Sequence, residues 1–457
     1  MRSFKLGNAG MRGVVGSGLT VERAIDFASA FGTMVDGGRV LVGQDTRSSS
    51  NMLYHAVVSA LMGAGCRVCD AGIMPAGVIQ FLIPRLEASG GLLIGGGHQA
   101  MGWNAAIPLA SNGSYLNFIQ LQELFDIYRS RQYRQAPWNG IQALEQIPDD
   151  SIDAYLDALC KTVNVKAIKK AGFTVVADFC NGSGSILADR LAARLGLKMI
   201  AINRIFSGVL PHEPEPRPRS AAQVQSVVGP LNAAAGFVFN SDVSRVSLVS
   251  DSGEALSEEY TAPLAVDYLL AKKPDTRVVT NICSSRSLDD VVARHGGELY
   301  KTRVGQAWAI DRMTELGARI ACEGSGSLTT DAWIRGFDGF YVMALVLEYM
   351  AVSGKKLSEL ATEIPRYHIV KSSVRCQPSH AYTLIRNIAR ELKNEPKVSV
   401  IEEDGIRLDW EDGWISLRAA STESVIRMTS EARTREIAID REFHMRGLIE
   451  KQVGGGA

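Results

Sequence analysis

Apolar and polar positions along the chain alternate between two periods. In VERAIDFASAFGTMV the apolar residues recur at three- and four-residue spacing, which predicts an amphipathic helix. The following RVLVGQDT is a short apolar run closed by polar residues, which predicts a buried strand. The pairing returns in NMLYHAVVSALMGAG with CRVCDAG, in FTVVADFCNGSGSILADRLAARLG, and in TRVVTNICSSRSLDDVVARHG with ELYKTRVG. This alternation predicts open α/β layers in three segments of roughly 100 residues each. Each predicted strand ends in a polar, glycine-rich turn, and in open parallel sheets such turns line the ligand crevice. The last segment differs. IRLDWEDGWISLRAAS alternates with a period of two, like a hairpin, before VIRMTSEARTREIAIDREF, which predicts a smaller α+β unit.

Pro-rich or polar breaks near QYRQAPWNGIQALEQIPDD, after the strand that follows Ser241, and near EIPRYHIVKSS divide the chain into 1–145, 146–249, 250–361 and 362–457. A chain of 457 residues is too long for one ordinary core, in keeping with that division. Lys plus Arg and Asp plus Glu both total 49, so no overall field draws the protein to nucleic acid or to an anionic membrane. Any anion site must be local. No apolar stretch of about 18 residues is free of charges or Gly/Pro breaks, and MRSFKLGNAGMRG lacks the apolar core of a signal peptide. A soluble, cytoplasmic chain is expected. The seven cysteines, an odd number, fit reduced thiols. Cys66 and Cys69 form a CxxC in a helix-to-strand context, and no second pair exists to complete a zinc site.

The stretch GGLLIGGGHQAMGWN, Gly90 to Asn104, runs an apolar strand into three glycines and a histidine where many α/β enzymes keep a nucleophile. None is present. The glycines could turn backbone N–H groups toward an anion, or form a flexible, collapsed loop; both readings stay open. Arg12 in LGNAGMRG and Arg47 in VGQDTRSSS could grip phosphate oxygens bidentately or pair with carboxylates, and Asp45 favours the pair for Arg47. Glu323 and Ser325 in ACEGSGS place a carboxylate and a hydroxyl on one turn, suited to paired sugar hydroxyls or to a helix cap.

In order along the chain, these loops resemble those of the α-D-phosphohexomutases: phosphoglucomutase, phosphomannomutase and phosphoglucosamine mutase. The resemblance covers essentially the whole chain and implies three related α/β domains and a smaller C-terminal α+β domain around a central cleft. LGNAGMRG looks like the family's FGTxGxRG, and VGQDTRSSS like GRDTR. GGGHQAMGWNAAI corresponds to TASHNPxxxNGxK, with Gly97 at the phosphoserine position and Ile107 at the lysine, while His98 and Asn104 remain. FVFNSDVSR stands where the family's Mg²⁺ loop reads DGDxDR; Asn240 and Ser244 replace two aspartates, and Asp242 and Arg245 persist. One carboxylate with Asn and Ser is a poor Mg²⁺ site. No metal is expected there, Asp242 being the sole remnant, and no cofactor unless substrate phosphate completes the site for Mg²⁺. ADFCNGSGS resembles DxxNGxG, and LPHEPEP resembles FPxHxPxP, with His212 read as structural or cleft-lining. KTRVGQAW is similar to TxVGH, ACEGSGS to the sugar loop GExSGH, and LRAASTESVIR to the phosphate loop RPSGTEPxxR.

The resemblance therefore implies a substrate-binding set of Arg12, Asn104, Arg303, Glu323, Ser325, Arg418, Thr422, Glu423 and Arg427, with His98 the single catalytic candidate. With the serine and most of the metal loop absent, the leading expectation is a pseudoenzyme. It would have lost phosphoryl transfer and would bind a phosphosugar, another small anion or a protein partner. Two alternatives remain. One is a repurposed enzyme using His98 as acid/base or phosphoacceptor; the other is residual mutase activity, with Ser111, Ser114 or a bound bisphosphate supplying the missing group.

Overall fold

The computed structural model describes residues 4–393, 397–420 and 424–454. Its first sheet has strand order Phe4–Gly7, Gly10–Val14, Trp103–Ala110, Gly90–Ile94, Arg39–Gln44, Arg67–Ile73 and Glu145–Gln146. The second runs Val246–Ser250, Ala235–Phe239, Thr174–Asp178, Lys198–Ile202, and the third Glu298–Thr302, Arg277–Asn281, Ile320–Glu323, Ser327–Thr330. In each, parallel strands give way to an antiparallel neighbour: Gly90–Ile94 with Trp103–Ala110, Ala235–Phe239 with Val246–Ser250, and Ile320–Glu323 with Ser327–Thr330. The reason is loop length. Residues 95–102, 240–245 and 324–326 are too few for a crossover helix, so each chain reverses as a hairpin. Those three hairpin turns are the loops singled out in the sequence.

The fourth sheet is wholly antiparallel, in the order His368–Arg375, Val425–Ala432, Gly413–Ala419, Ile406–Trp410, Ser399–Ile401, with helices Pro378–Leu392 and Arg435–Gly454 packed on it. The expected hairpin is Ile406–Trp410 with Gly413–Ala419. The chain thus has three related α/β domains followed by a smaller α+β domain.

One apolar core runs from helix Ala76–Arg85 of the first domain through the second into the third, while the fourth domain has its own. At its centre Phe179, Phe239 and Phe340 meet at ring centroid distances of 5.3 to 6.2 Å. Phe340 lies on helix Gly339–Ser353, which is buried on nearly every face and so shows no amphipathic period. Among the described residues no helix is long and apolar enough to cross a membrane. All seven cysteines are unbridged, and burial pushes the Cys66 thiol up to about 11. His212 donates to the buried Asp178 carboxylate at 3.1 Å; burial opposes its charge, but this partner holds the imidazolium to about 11. It is a charged strut.

Polar contacts fix the domain joints. Tyr155 Oη of the second domain donates to Asp338 Oδ2 at 2.6 Å, and Trp333 Nε1 to the same oxygen at 3.0 Å. The other oxygen, Oδ1, caps helix Gly339–Ser353 by accepting from Phe340 N at 3.0 Å. In the fourth domain the fully buried Arg407 grips Asp409 at 2.7 and 2.9 Å, donates across the joint to the Ile282 carbonyl at 2.6 Å, and lies 4.0 Å over the Trp414 ring. Removing Asp338 leaves a helix uncapped, the buried Tyr155 hydroxyl without its acceptor and the half-buried Trp333 indole N–H without its own. Asp338→Ala is therefore expected to cost about 2–4 kcal/mol, read as a lower denaturant midpoint by far-ultraviolet circular dichroism.

Candidate functional site

The glycine loop is built around one guanidinium. Arg47 is buried, and its Nε pairs with Asp45 Oδ2 at 3.2 Å. Nη1 donates to the carbonyls of Ala100 at 2.8 Å and Trp103 at 3.0 Å, and Nη2 to those of Gln99 at 2.6 Å and Gly97 at 3.2 Å. Asp45 accepts in turn from Gly96 N at 2.9 Å and from Ser50 Oγ. A Cβ at Gly96 would lie 2.3 Å from Arg47 Cζ, so that position has no room for a side chain. The loop is held rather than collapsed, and two of its three glycine amides are already engaged: Gly95 N donates to the Ala105 carbonyl at 3.1 Å and Gly96 N to Asp45.

The second domain clasps this loop from the other side. Ser241 Oγ donates to the Gly97 carbonyl at 2.9 Å, and Ala76 N donates to the Asp242 carbonyl at 3.1 Å. Within residues 240–245, Asp242 Oδ1 accepts from Asn240 Nδ2 at 2.7 Å, Ser244 N at 3.0 Å and Ser244 Oγ at 2.6 Å. Asn and Ser thus turn hydrogens, not lone pairs, toward the one carboxylate. A hard dication needs several oxygen lone pairs converging on it, so this donor set does not fit a resident Mg²⁺. Among the described residues no group of three or more His, Cys, Asp or Glu is arranged to hold a metal.

Cations converge on the cleft from both ends of the chain. Arg418 and Arg427 stand directly opposite each other in the ladder between Gly413–Ala419 and Val425–Ala432, a like-charge placement that is unfavourable without an anion. Arg418 pairs with Asp404 at 3.1 Å. Burial, then Arg12, Arg418 and Arg427, push the Lys5 ammonium down to about 8. Burial and Arg427 also lower Arg12, whose guanidinium has no hydrogen-bond partner among the described residues. At the centre, half-buried His98 lies 3.0 Å from the Gln99 amide nitrogen. Desolvation first, then the charges of Arg245, Arg12 and Arg427, push its imidazolium down to about 3 against the pull of Glu215. Arg245 is ion-paired with Glu215, whose carboxyl, despite its burial, is brought down to about 2 by Arg245 and His98.

The third domain contributes buried Glu323, whose Oε1 accepts from Gly305 N at 2.7 Å, and half-buried Ser325 on the next turn. Arg303 lies 4.9 Å over the Trp308 ring and donates to the Glu403 carbonyl at 3.1 Å, tying this loop to the fourth domain. Electrostatic coupling links Glu323 to Arg245, and Arg12 and Arg427 to His98, so all four domains meet here.

One expected ligand contact needs correction. Asn104 is buried, with its amide nitrogen on Ser49 and Ser50 Oγ at 2.8 and 2.9 Å and its oxygen accepting from Ala105 N, so nothing is left to face the cleft. Thr422 and Glu423 lie outside the described residues. Ser111 and Ser114 follow the far end of strand Trp103–Ala110 from the glycine loop, and Ser114 Oγ bonds the Tyr115 carbonyl. Sequence reasoning missed Lys5 and Glu215. No motif marked Lys5, but the HEPEP segment holds Glu215 next to the histidine that was noted.

Replacing Arg47 tests the loop's dependence on it. Arg47→Met leaves Asp45 buried without its cation and is expected to cost about 3–5 kcal/mol in a denaturant titration. Lysine, with one point charge, should restore only part of that loss. The depressed histidine gives a pH signature. Its stabilising neutral form is present above the unfolded-state value and is undermined as pH falls from 6.5 toward about 3. In ¹⁵N NMR the His98 imidazole should stay neutral from about pH 8 to 5, and a bound sugar phosphate should raise its titration point.

Comparisons with known proteins agree with this geometry. Models described as "Phosphoglucomutase/phosphomannomutase, alpha/beta/alpha" domains I, II and III match residues 3–135, 153–253 and 257–367. A protein of Thermococcus gammatolerans named "Probable phosphoglucosamine mutase" is 34% identical, with 98% of each chain covered. One from Thermococcus kodakarensis named "Phosphoglucomutase/phosphomannomutase" is 32% identical over 98% of this chain and 99% of its own. A solved phosphoglucomutase/phosphomannomutase family structure from Burkholderia thailandensis superposes with a TM-score of 0.85 at 23% identity, covering 99% of each chain, which speaks to the fold. These relatives overturn the expectation of a pseudoenzyme: full-length likeness at 32–34% identity runs to proteins named as mutases, and no feature of the cleft gives a non-catalytic role positive support. By sequence and architecture together, the chain belongs to the phosphoglucomutase/phosphomannomutase family.

Proposed function

We propose that this protein is a phosphosugar mutase, moving phosphate between the 1- and 6-oxygens of a hexose or hexosamine phosphate. The observation that carries the reading is the cation cluster of Lys5, Arg12, Arg418 and Arg427, assembled from the first and fourth domains around the cleft. Asp404 balances part of that charge through Arg418, and guanidinium forks match phosphate geometry. The relatives' names supply the substrate class, a phosphorylated glucosamine or a related hexose.

In this reading Arg12, Arg418 and Arg427 hold the phosphate that is not being transferred, while Glu323 and Ser325 orient sugar hydroxyls. Arg245, steadied by Glu215, faces the transferring group. His98, its imidazolium pushed down to about 3, stands neutral beside the substrate. Magnesium, which the family resemblance implies, would neutralise charge on the transferring phosphoryl group. Loop 240–245 does not fit it as a resident ion.

The test is ³¹P NMR of the protein with glucosamine, glucose or mannose 6-phosphate, with catalytic hexose 1,6-bisphosphate and Mg²⁺ in the buffer. Growth of a 1-phosphate signal is expected for at least one sugar, and its absence for all three would sink the reading. Arg418→Ala should raise KM by roughly 10- to 100-fold with a smaller effect on kcat, the loss of one charge-assisted phosphate contact of about 1.5–3 kcal/mol.

A further inference from the structure

The mutase reading leaves one atom unaccounted for, the protein group that carries the phosphoryl between the two oxygens. Gly97 has no hydroxyl. Its missing side chain nevertheless points at something: a Cβ built on Gly97, which has φ of +51°, would lie 2.8 Å from Asp242 Oδ2. The carboxylate oxygen therefore occupies the space a side chain at 97 would enter. The backbone there is held on both sides, by Arg47 Nη2 at 3.2 Å and Ser241 Oγ at 2.9 Å on the Gly97 carbonyl.

Asp242 itself is oriented asymmetrically. Three donors hold Oδ1, and none of the hydrogen bonds found among the described residues reaches Oδ2. The side chain is buried next to a cleft that carries Arg245 and, beyond it, Arg12. A carboxylate fixed through one oxygen, with the other turned toward position 97, has the geometry of a nucleophile at that position. Carboxylates accept phosphoryl groups in known chemistry as acyl phosphates. The replaced metal loop fits the same picture: without a dication on its oxygens, Asp242 keeps its lone pairs for phosphorus.

We infer that Asp242 is the phosphoacceptor of this chain, taking the phosphoryl group on Oδ2 as an aspartyl phosphate in place of the family's serine. This rests on the mutase reading above. In the forward half, Oδ2 attacks the phosphorus of a bound hexose bisphosphate in line with the sugar ester oxygen. The Oδ2–P bond forms, the P–O bond to the sugar breaks, and the sugar oxygen keeps the electron pair and takes a proton from solvent. In the return half a hydroxyl of the sugar monophosphate attacks the aspartyl phosphate. A sugar O–P bond forms, the Oδ2–P bond breaks to regenerate the carboxylate, and the hydroxyl proton leaves to solvent. No oxidant or further reactant is needed.

The full-length protein is incubated with ³²P-labelled glucose or glucosamine 1,6-bisphosphate and quenched. The label is then tested for acid, base and hydroxylamine stability, and a parallel sample is reduced with borohydride and digested for mass spectrometry. The expected label is released by alkali and by hydroxylamine, with borohydride converting position 242 to homoserine. Asp242→Asn, which keeps the oxygen that accepts from Ser244, should fold, still bind glucosamine 6-phosphate, lose the label and lose turnover by roughly a thousandfold or more.

The remaining outcomes separate the two claims. Turnover with an alkali-stable, acid-labile label on His98, with a hydroxylamine-resistant label on a serine, or with no label overturns the inference and leaves the mutase reading standing. Label at 242 without interconversion of any sugar phosphate overturns the mutase reading alone. Neither label nor turnover overturns both.

Discussion

The cleft depends on the burial of a single guanidinium. Arg47 enters the first domain with Asp45 as its counter-ion, and burying it is tolerable only because four backbone carbonyls of residues 97–103 satisfy its remaining donors. The requirement works in both directions. The loop needs Arg47 to absorb carbonyls that no strand pairs, and Arg47 needs a loop without a side chain at Gly96. Once the loop is curled this way, Gly97 presents its carbonyl to Ser241 of the second domain, and the positions of His98 and Asp242 follow.

A second constraint is electrostatic. The chain has no net charge, yet it gathers Lys5, Arg12, Arg418 and Arg427 in one place, with Arg418 and Arg427 as cross-strand neighbours. Asp404 offsets part of that repulsion through Arg418, and Arg407 and Arg286 bind the fourth domain to the third through Asp409 and the Ile282 carbonyl.

Much of this was legible in the sequence because it is carried by local pattern. The three hairpin turns follow apolar strands, and the period-two text of the last segment marks its antiparallel ladder. What could not be read depends on where side chains go after folding. Asn104 looks the same in a motif whether it faces a sugar or two serines, and only the register of Gly13 against Asn104 turns it inward. Lys5 sits in an unremarkable edge strand and acquires meaning from arginines more than 400 positions later. The functional expectation failed for a related reason: the absence of one hydroxyl is visible in a sequence, whereas a carboxylate from another domain in the same space is not.

That shared space makes positions 97 and 242 a single locus despite their separation along the chain. A side chain at 97 and the present orientation of the Asp242 carboxylate exclude each other, since the two would meet at 2.8 Å. Neither residue can therefore be changed on its own merits. Installing a serine at 97 is opposed both by a left-handed backbone and by the aspartate, and turning the aspartate away gives up its three donors. The effects of substitutions at the two positions are therefore expected to be non-additive.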